Sequence, residues 1–395
     1  MEIDLFLALC VIGSSGFFVV LGMGWARLEG RAAICDIDTR RTVDTPRSGA
    51  DTQHEGAIDA DSSVDVTVII AAHNEARHMP ALCNALARQT WPRHRFHVLL
   101  VDDRSDDGTA SAARAAAPAD LSLRILRIDA VPAGVSPKKY ALHTAIEHSA
   151  TENLLFTDAD CEPAPHWIES MMRYFSAGAD VVIGLSPARG GGVAAQYAAF
   201  ESVRTALLSC GAAGWNRPYM ATGRNWGYRA SVYRNIGGLT PLFSQLGGDD
   251  DLLFQRFTSA GARVRVNTDP GGICPTAPPE SLPALLRAKL RHFRTSASYT
   301  RSSQLWLGLF VASELLALGA APVWLAAVRG VHPLLLVTGV VAKLLYDTSF
   351  LLPAARTMGF SPGLTFRLRF VFLEWIHALF SPFVGLLSFV VRSRW

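Results

Sequence analysis

The apolar residues of this 395-residue chain are concentrated at its two ends. Between them, residues 65–300 show the mixed pattern of a globular protein. Stretches long enough to form apolar helices lie at residues 5–24, 305–328, 332–353 and 370–391. A helix needs about 20 apolar residues to cross the ~30 Å hydrocarbon core of a bilayer. The sequence therefore predicts an N-terminal transmembrane helix at 1–26, a linker at 27–64, a globular domain at 65–300 and a membrane region at 301–395.

The charges beside the first apolar stretch predict its orientation. Glu2 and Asp4 precede it, and Arg27 and Arg31 are the first arginines that follow it. A cleaved signal peptide, which is the alternative, would begin with positive charge instead. Because positive residues mark the cytoplasmic side of a membrane protein, we expect a multi-pass protein of the cell (inner) membrane with a cytoplasmic globular domain.

The last apolar stretch, 370–391, is less regular than the two before it. It contains Glu374 and His377, and Arg392 and Arg394 follow it. If every stretch crossed the membrane, these arginines would lie outside the cell, against the usual distribution of positive charge. The sequence therefore predicts two or three C-terminal transmembrane helices, with a re-entrant or interfacial segment as the alternative for the third.

The charge and cysteine content exclude several classes of partner. The net charge is only +3 and the arginines are dispersed, whereas a protein that binds duplex nucleic acid presents a basic face. We therefore expect no nucleic acid partner. The six cysteines are widely spaced and form no CxxC pair, so we predict neither a disulfide framework nor a zinc site.

From Val66 onward, short β-branched runs alternate with amphipathic stretches. The predicted strands are VTVIIAA, HVLLVD, LRILRI and NLLF, and the predicted helices follow them at 76–90, 104–117, 138–149 and 166–177. Such alternation predicts an α/β fold with a mostly parallel sheet covered on both faces. Ligands of these sheets bind beyond the carboxyl ends of the strands, and here the residues at those ends are mostly acidic.

The motif TDAD, at residues 157–160, follows the apolar run NLLF. Asp158 and Asp160 are one residue apart at the end of a strand, where two carboxylates can share a divalent cation. Oxygen ligands favour Mg²⁺ or Mn²⁺, so the motif predicts a divalent metal cofactor that would assist a departing diphosphate. The alternative for such a short motif is an ordinary turn.

The motif VDDRSDDGT, at residues 101–109, ends another predicted strand. Asp103 is a candidate acceptor for the N3–H of a uracil ring. For Asp102, a binding role and a structural role are equally weighted. Asp106 is predicted to cap the following helix. In the next motif, SPKKYAL, Lys138 and Lys139 lie near the N-terminal end of a helix, where cations indicate an anionic ligand. A solvated basic pair is the alternative.

Two further motifs carry charged residues. LGGDDDLL, at 246–253, places three carboxylates before a helix, where mutual repulsion raises a pKa and suits a general base. Asp251 is predicted to be the cap among them. RAKLRHFRTS, at 287–296, is a basic cluster beside the membrane region. Arg291 and His292 are predicted to close over a diphosphate, and contact with lipid headgroups is the equally weighted alternative.

Seven motifs in order resemble those of a known enzyme family. They are VIIAAHNEA, VDDRSDDGT, SPKKYAL, TDADC, TGRNWGYRAS, GGDDDLL and KLRHF. Together they resemble the family 2 inverting nucleotide-sugar glycosyltransferases of the membrane-bound type, over residues 66 to about 295. The resemblance implies a GT-A (Rossmann-like) fold, a nucleotide-sugar donor and roles for specific residues.

The resemblance assigns these roles by position. Residues around the nucleotide would be Ala71, Asn74, Glu75 and Asp103. Asp158 and Asp160 would bind the metal and the diphosphate. Asp250 would be the catalytic base, with Asp249 beside it. Residues lining the donor-sugar or acceptor region would be Gly223, Arg224 and Asn225. Trp226 is equally a core residue or a substrate platform, and residues 193–218 are read as an interfacial helix near the acceptor or as a helix packed on the sheet.

Two departures from the family pattern bear on the reaction. Asp249–Asp250 replaces the usual Glu–Asp pair. The Gln-x-x-Arg-Trp motif of processive synthases would fall on Ala288, Arg291 and His292, so its Gln and Trp are absent. We therefore expect transfer of a single sugar, with a UDP-sugar favoured, to a membrane-associated lipid hydroxyl. The alternatives are a processive polysaccharide synthase and a non-catalytic membrane scaffold.

Overall fold

The computed structural model describes residues 11–30, 65–245 and 247–391. The first ten residues of the predicted N-terminal helix and most of the predicted linker, from residue 31 to 64, lie outside the described residues.

The chain divides into two compact units. The sheet unit comprises the described residues of Glu29–Pro187 and Met220–Ala277, and the helical unit comprises those of Met1–Leu28, Ala188–Tyr219 and Pro278–Trp395. Residues 188–219 and 278–300, which the sequence assigned to the globular domain, thus group with the apolar helices. The domain boundaries themselves remain predictions.

The sheet unit is built on seven strands among the described residues. They are β1 (Val66–Ala72), β2 (Phe96–Asp103), β3 (Leu123–Ile128), β4 (Asn153–Phe156), β5 (Val181–Ile183), β6 (Trp226–Arg229) and β7 (Val264–Val266). Their order in the sheet is β3-β2-β1-β4-β6-β5-β7. Strands β1 to β4 pair in parallel, β5 pairs in parallel with β7, and β6 runs antiparallel to both β4 and β5. The sheet is therefore mostly parallel, as predicted.

The central strands are apolar because both faces of the sheet are covered. In β1, the side chains from Val66 to Ile70 are all buried, which is the pattern of a parallel strand between two helical layers. The register aligns Ala72 with Asp102. The loops after β1, β2 and β4 consequently leave the sheet at one edge, and the acidic motifs lie there.

The helices of the sheet unit separate these strands. They are α2 (Met79–Ala87), α3 (Thr109–Ala116), α4 (Pro137–Glu147), α5 (Trp167–Ser176), α7 (Ala230–Asn235) and α8 (Asp251–Ser259). Helix α6 (Val193–Gly214) belongs to the other unit. The first four coincide with predicted helices but begin or end a few residues inside them. Trp226 is a core residue, because its ring is buried against Phe156, Tyr228 and Phe257.

The helical unit contains the apolar stretches. Its helices are α1 (Val11–Gly30), α6 (Val193–Gly214), α9 (Leu282–Ser296), α10 (Arg301–Leu315), α11 (Ala321–Arg329), α12 (Pro333–Thr357) and α13 (Leu364–Val390). A π-helical turn joins α10 to α11. Among the described residues, four helices are long and apolar enough to cross a membrane: Val11–Gly30, Arg301–Ala327, Pro333–Thr357 and Leu364–Ser388.

Helix α6 packs directly on α1 in the helical unit. A methyl group at Gly211 or Gly214 would collide with the backbone of Leu21 or Gly24. Trp215 donates its indole N–H to the carbonyl oxygen of Val20, 2.7 Å away. The small residues of the segment 193–218 therefore bring two helix backbones together, and packing on a helix rather than on the sheet explains their spacing.

Candidate active site

The loops after β1 and β2 are joined into one piece. Asn74, with a left-handed φ of 58°, donates its backbone N–H to Ser105 Oγ and accepts the N–H of Asp106 on its side-chain oxygen. Glu75 donates its N–H to Thr109 Oγ1 at 2.9 Å. An asparagine tolerates this backbone conformation better than most residues. The sequence places Asn74 and Glu75 beside the acidic motif of β2, and the structure brings them together.

The turn before α3 is held by Asp107, so the prediction that Asp106 caps the helix is wrong. Asp107 Oδ1 accepts the Thr109 N–H at 3.0 Å, and Oδ2 accepts the Ala76 N–H at 2.9 Å. The hydrogen bond from the Thr109 hydroxyl is the main cause that lowers the pKa of Asp107. Asp106 contributes only its backbone N–H, which donates to the side-chain oxygen of Asn74. It lies three residues before α3 begins at Thr109, too early to be the cap.

Asp102 and Asp103 have different surroundings. Asp102 is buried, and its two oxygens accept hydrogen bonds from the Ser105 N–H at 3.1 Å and from Arg127 Nη1 at 2.9 Å. These contacts give Asp102 a structural role. Asp103 bonds to the adjacent Arg104, whose Nε lies 2.8 Å from Asp103 Oδ1 and whose side chain is 39% exposed. A nucleobase that bound to Asp103 would therefore have to displace the Arg104 guanidinium from the Asp103 carboxylate.

Glu75 lies close to the acidic pair after β4. Burial, followed by the charge of Asp160, raises the pKa of Glu75 to about 7. Asp158 acts in the same direction. Ala71, the next-to-last residue of β1, is partly exposed and pairs with Val101 of β2. The carboxylates that follow β1 and β4 are therefore close enough for their negative charges to repel each other.

The two lysines of the SPKKYAL motif have different partners. Lys138 Nζ lies 3.0 Å from Asp158 Oδ1 and 3.2 Å from Asp249 Oδ2. Burial opposes its charge, but Asp158, Asp249 and Asp250 outweigh this and raise the pKa of Lys138 well above its usual value. Lys138 is therefore a cation that links two acidic motifs.

Lys139 does not belong to the site, so its prediction as an anion ligand is wrong. Its ammonium is fully buried and donates to the carbonyl oxygens of Leu242 and Gln245, each at 2.8 Å. Burial lowers its pKa to about 8. Lys139 therefore fastens the start of α4 to the segment before the acidic triplet, which places Lys138 beside Asp249.

Asp158 and Asp160 fit a divalent cation as a pair. Asp160 Oδ2 accepts a hydrogen bond from Thr276 Oγ1 at 3.3 Å, and burial together with the Asp158 charge raises its pKa. Among residues 11–30, 65–245 and 247–391, no group of three or more His, Cys, Asp or Glu side chains could hold a metal ion. Magnesium is commonly bound by one or two carboxylates and completed by substrate phosphates and water. Two adjacent carboxylates that repel each other meet this requirement.

The acidic triplet begins α8, and two glycines shape its approach. Gly247 and Gly248 have φ values of 85° and 74°, which glycine adopts without steric cost. The helix is capped by Asp250, whose Oδ1 accepts the Asp251 N–H at 2.7 Å. The prediction that Asp251 is the cap is therefore wrong, because Asp251 is already the first residue of the helix and is buried.

Asp250 is held beside a second backbone donor. Its Oδ2 accepts the Gly223 N–H at 2.8 Å. Burial and the neighbouring Asp249 raise the pKa of Asp250 to about 6, although Lys138 and the two backbone hydrogen bonds act against this. Asp250 is thus a carboxylate that gains a proton just below neutral pH, which suits a general base.

Arg224 and Asn225 follow Gly223 but differ in their contacts. Arg224 Nε donates to Ser186 Oγ at 3.2 Å, and its charge lowers the pKa of Asp158 and opposes the rise at Asp160. Asn225 is fully buried and bonds to Leu185, Gly272 and Trp167 in the core. The structure therefore brings Arg224 toward the acidic pair and gives Asn225 a packing role.

Arg291 and His292 lie on α9 in the helical unit. Lys289, two residues before Arg291 on that helix, pairs with Glu201 of α6. A role for Arg291 and His292 at the diphosphate remains a prediction.

Sequence reasoning missed Thr276 and Ser186. Each supports a predicted site residue through a hydroxyl contact, but neither follows a recognised motif. Ser186 lies three residues after β5, so recognition of VVI as a strand would have directed attention to it. Thr276 is placed by an isolated bridge with Cys161, which leaves no local sequence pattern.

Comparisons with known proteins bear on the sheet unit. Residues 67–237 match the family described as Glycosyl transferase family 2. A 143-residue segment is 35% identical to glycosyltransferase AglE of Haloferax volcanii, covering 35% of this chain and 46% of the relative. A 124-residue segment is 31% identical to the undecaprenyl-phosphate 4-deoxy-4-formamido-L-arabinose transferase of Pseudomonas fluorescens, covering 30% of this chain and 34% of the relative. The chain thus spans less than half the length of these relatives.

Among solved structures, the mannosyltransferase PcManGT from Pyrobaculum calidifontis, in complex with GDP-Man and Mn²⁺, is 18% identical with a TM-score of 0.47. The likeness covers 91% of this chain and 99% of that one. The family match confirms the predicted resemblance to family 2 glycosyltransferases, and together with the mostly parallel sheet it confirms the predicted α/β GT-A fold class.

Proposed function

We propose that this chain transfers one sugar with inversion from a nucleotide-diphosphate sugar to a membrane-associated lipid hydroxyl. The match of residues 67–237 to glycosyl transferase family 2 supports this proposal. The observation that carries the proposal is the arrangement around Lys138, which contacts both Asp158 and Asp249. Lys138 thereby links the pair Asp158 and Asp160, which suits a diphosphate, to the pair Asp249 and Asp250, which suits proton removal. Both halves of a sugar transfer thus have residues within one unit.

Asp250 is the proposed base. Its carboxylate takes the proton from the acceptor hydroxyl as that oxygen forms a bond to the anomeric carbon. The bond between the anomeric carbon and the donor diphosphate breaks at the same carbon, and the nucleoside diphosphate leaves with the electron pair. One such displacement inverts the anomeric configuration. The raised pKa of Asp250, about 6, keeps it both ionised and basic near neutral pH.

Asp158 and Asp160 are proposed to hold Mg²⁺ or Mn²⁺ at the diphosphate. The chemistry that such an ion supplies when bound is neutralisation of the charge that develops on the leaving group. Lys138 adds a positive charge beside one of these carboxylates, at 3.0 Å from Asp158. Arg224 contributes a second positive charge to this region. The leaving group would therefore meet cations from the chain itself.

The nucleotide is proposed to lie over the loops after β1 and β2. Asn74 and Glu75 are fixed there by hydrogen bonds to the β2 loop, and Ala71 lies at the same end of β1. Asp103 would accept the N3–H of uracil once Arg104 has moved from its carboxylate, which favours a UDP-sugar. The contacts of Asp102 with Arg127 and Ser105 support a structural role for that residue.

A lipid-type acceptor is proposed from the helical unit. Four helices of the described chain have the length and composition to cross a membrane, and α9, with Arg291 and His292, immediately precedes the last three of them in sequence. One relative is named as an undecaprenyl-phosphate transferase. The arginines after α1 support a cytoplasmic position for the sheet unit in a multi-pass inner-membrane protein.

The proposal is tested by incubating membranes that contain the full chain with a panel of labelled nucleotide sugars. We expect one donor to give a single labelled lipid, and we expect Asp250→Asn membranes to give none. A ladder of lengthening products would instead establish the processive synthase. Failure of every donor with every lipid extract, while the chain is folded, would leave the non-catalytic scaffold.

A further inference from the structure

Lys138 occupies the space between the two acidic motifs that carry the proposed reaction. Its ammonium lies 3.0 Å from Asp158 Oδ1, after β4, and 3.2 Å from Asp249 Oδ2, before α8. The side chain of Lys138 is 31% exposed. Lys138 therefore forms ion pairs with two carboxylates that are distant in sequence.

The backbone of Lys138 cannot retreat easily from this position. It is the second residue of α4, whose first residue is Pro137, and the following Lys139 is buried with its ammonium bonded to Leu242 and Gln245. Only the flexible four-carbon side chain of Lys138 is free to change direction. A change in its partner therefore requires rotation of the side chain and no movement of the helix.

A divalent cation and an ammonium compete for the same carboxylate. An ion held by Asp158 and Asp160 would lie beside the positive charge of Lys138, and like charges a few ångströms apart repel strongly where solvent is partly excluded. A phosphate oxygen near the start of α4 offers the ammonium another partner, since a helix N-terminus favours negative charge. The arrangement is thus suited to an exchange of partners.

We propose that Lys138 is an internal counter-ion for the empty donor site, which holds Asp158 and Asp249 together and is displaced from Asp158 when a divalent cation and a diphosphate bind. This inference rests on the proposed function, because it assumes the metal site at Asp158 and Asp160. Two consequences follow. Metal binds weakly to the nucleotide-free protein, and the diphosphate strengthens metal binding partly by accepting Lys138.

The experiment measures binding of Mn²⁺ to the purified full chain by calorimetry and by the Mn²⁺ electron paramagnetic resonance signal, with and without UDP. In Lys138→Met, which removes the charge and shortens the side chain by one heavy atom, we expect Mn²⁺ alone to bind roughly tenfold more tightly, a coupling of ordinary size between two ligands. The additional gain from UDP should be smaller than in the unsubstituted chain, because that gain no longer includes release of Lys138.

Two variants control for other effects. Lys138→Arg keeps the charge and should retain weak Mn²⁺ binding in the absence of UDP. Arg224→Met removes a nearby positive charge that has no ion pair with Asp158 among the described contacts, and should strengthen Mn²⁺ binding by less than Lys138→Met. Equal effects of Lys138→Met and Arg224→Met, or unchanged Mn²⁺ affinity in Lys138→Met, would overturn the counter-ion role.

A failure of the proposed metal site is distinguishable from a failure of this inference. If Mn²⁺ binds neither the unsubstituted chain nor Lys138→Met, or binds Asp158→Asn equally well, then the metal assignment itself is wrong. If Mn²⁺ binding requires Asp158 but is insensitive to Lys138, only the counter-ion role is wrong. The thermal unfolding of each variant shows whether it is folded before binding is compared.

Discussion

The carboxylate of Asp250 rests against the backbone of Gly223, with the Gly223 N–H donating to Asp250 Oδ2 at 2.8 Å. A Cβ atom at position 223 would lie 2.9 Å from that oxygen and 3.3 Å from Asp250 Cγ. Real Cβ atoms essentially never approach a heavy atom as closely as 2.9 Å. The absence of a side chain at Gly223 therefore determines where the proposed base lies.

We expect Gly223→Ala to lower kcat, though by less than the ~100-fold that a misplacement of about 1 Å produces, because Asp250 Oδ2 must withdraw from a Cβ that would lie 2.9 Å away. The affinity for UDP should change little, since the nucleotide contacts proposed above lie on the loops after β1 and β2. Single-turnover kinetics and UDP calorimetry separate the two quantities. Gly191→Ala is the matched control, because a Cβ there meets no atom within 4 Å. A Gly223→Ala enzyme with normal kcat would show that the position of Asp250 is unimportant.

The pH dependence of the reaction provides a second prediction. Burial and the charge of Asp249 raise the pKa of Asp250 to about 6. A base must be ionised to accept a proton, so its active fraction is complete well above pH 6 and falls as the pH drops through that value. We expect kcat/KM, which reports the free enzyme, to decrease about tenfold per pH unit below 6.

Removal of the neighbouring charge should move this acid limb. In Asp249→Asn the repulsion that raises the pKa of Asp250 is lost, so the limb should shift to lower pH. The exposed carboxylate of Asp106 supplies the control, since Asp106→Asn should leave the profile in place. An acid limb that stays fixed in Asp249→Asn would mean that the titrating group is not Asp250.

The fold was largely predictable from sequence because its central strands are long apolar runs. Strand β1 matches the predicted VTVIIAA residue for residue, since a strand buried on both faces needs continuous β-branched side chains. Strands β5 and β7 have only three residues each. A run of that length has no recognisable period, so these two strands could not be predicted.

The site was predictable where a role depends on the end of a strand, and less so where it depends on contacts distant in sequence. Asp158 and Asp160 follow β4 as expected. Lys138 and Lys139 have different roles because their partners differ. These partners, Asp249 for Lys138 and backbone carbonyls for Lys139, lie about a hundred residues away and are not part of the motif SPKKYAL. The cap of α8 was misassigned by one residue, because the sequence alone does not fix where a helix begins.

The different surroundings of Asp102 and Asp103 give a third prediction. Asp102 is buried against Arg127 and the Ser105 N–H, so Asp102→Asn should lower the free energy of unfolding by about 1–3 kcal/mol. Asp103→Asn should instead weaken UDP binding and change stability less. Thermal unfolding and UDP calorimetry on both variants test this. Equal UDP affinity in Asp103→Asn and the unsubstituted chain would exclude Asp103 from base recognition.

The helical unit contains a buried cation whose removal gives the fourth prediction. Arg204 of α6 donates to Glu314 of α10 and to Glu374 of α13, and both glutamates are at most 3% exposed. Loss of one partner from a buried charge pair costs about 3–5 kcal/mol, because the remaining charge stays desolvated. We expect Arg204→Met to lower the unfolding temperature of the detergent-solubilised chain markedly, with Arg217→Met, an exposed arginine, as the control. Replacing Glu314 and Glu374 by Gln in the Arg204→Met background should restore part of the loss, since no unpaired carboxylate then remains. An Arg204→Met chain as stable as Arg217→Met would mean that these three side chains do not hold α6, α10 and α13 together.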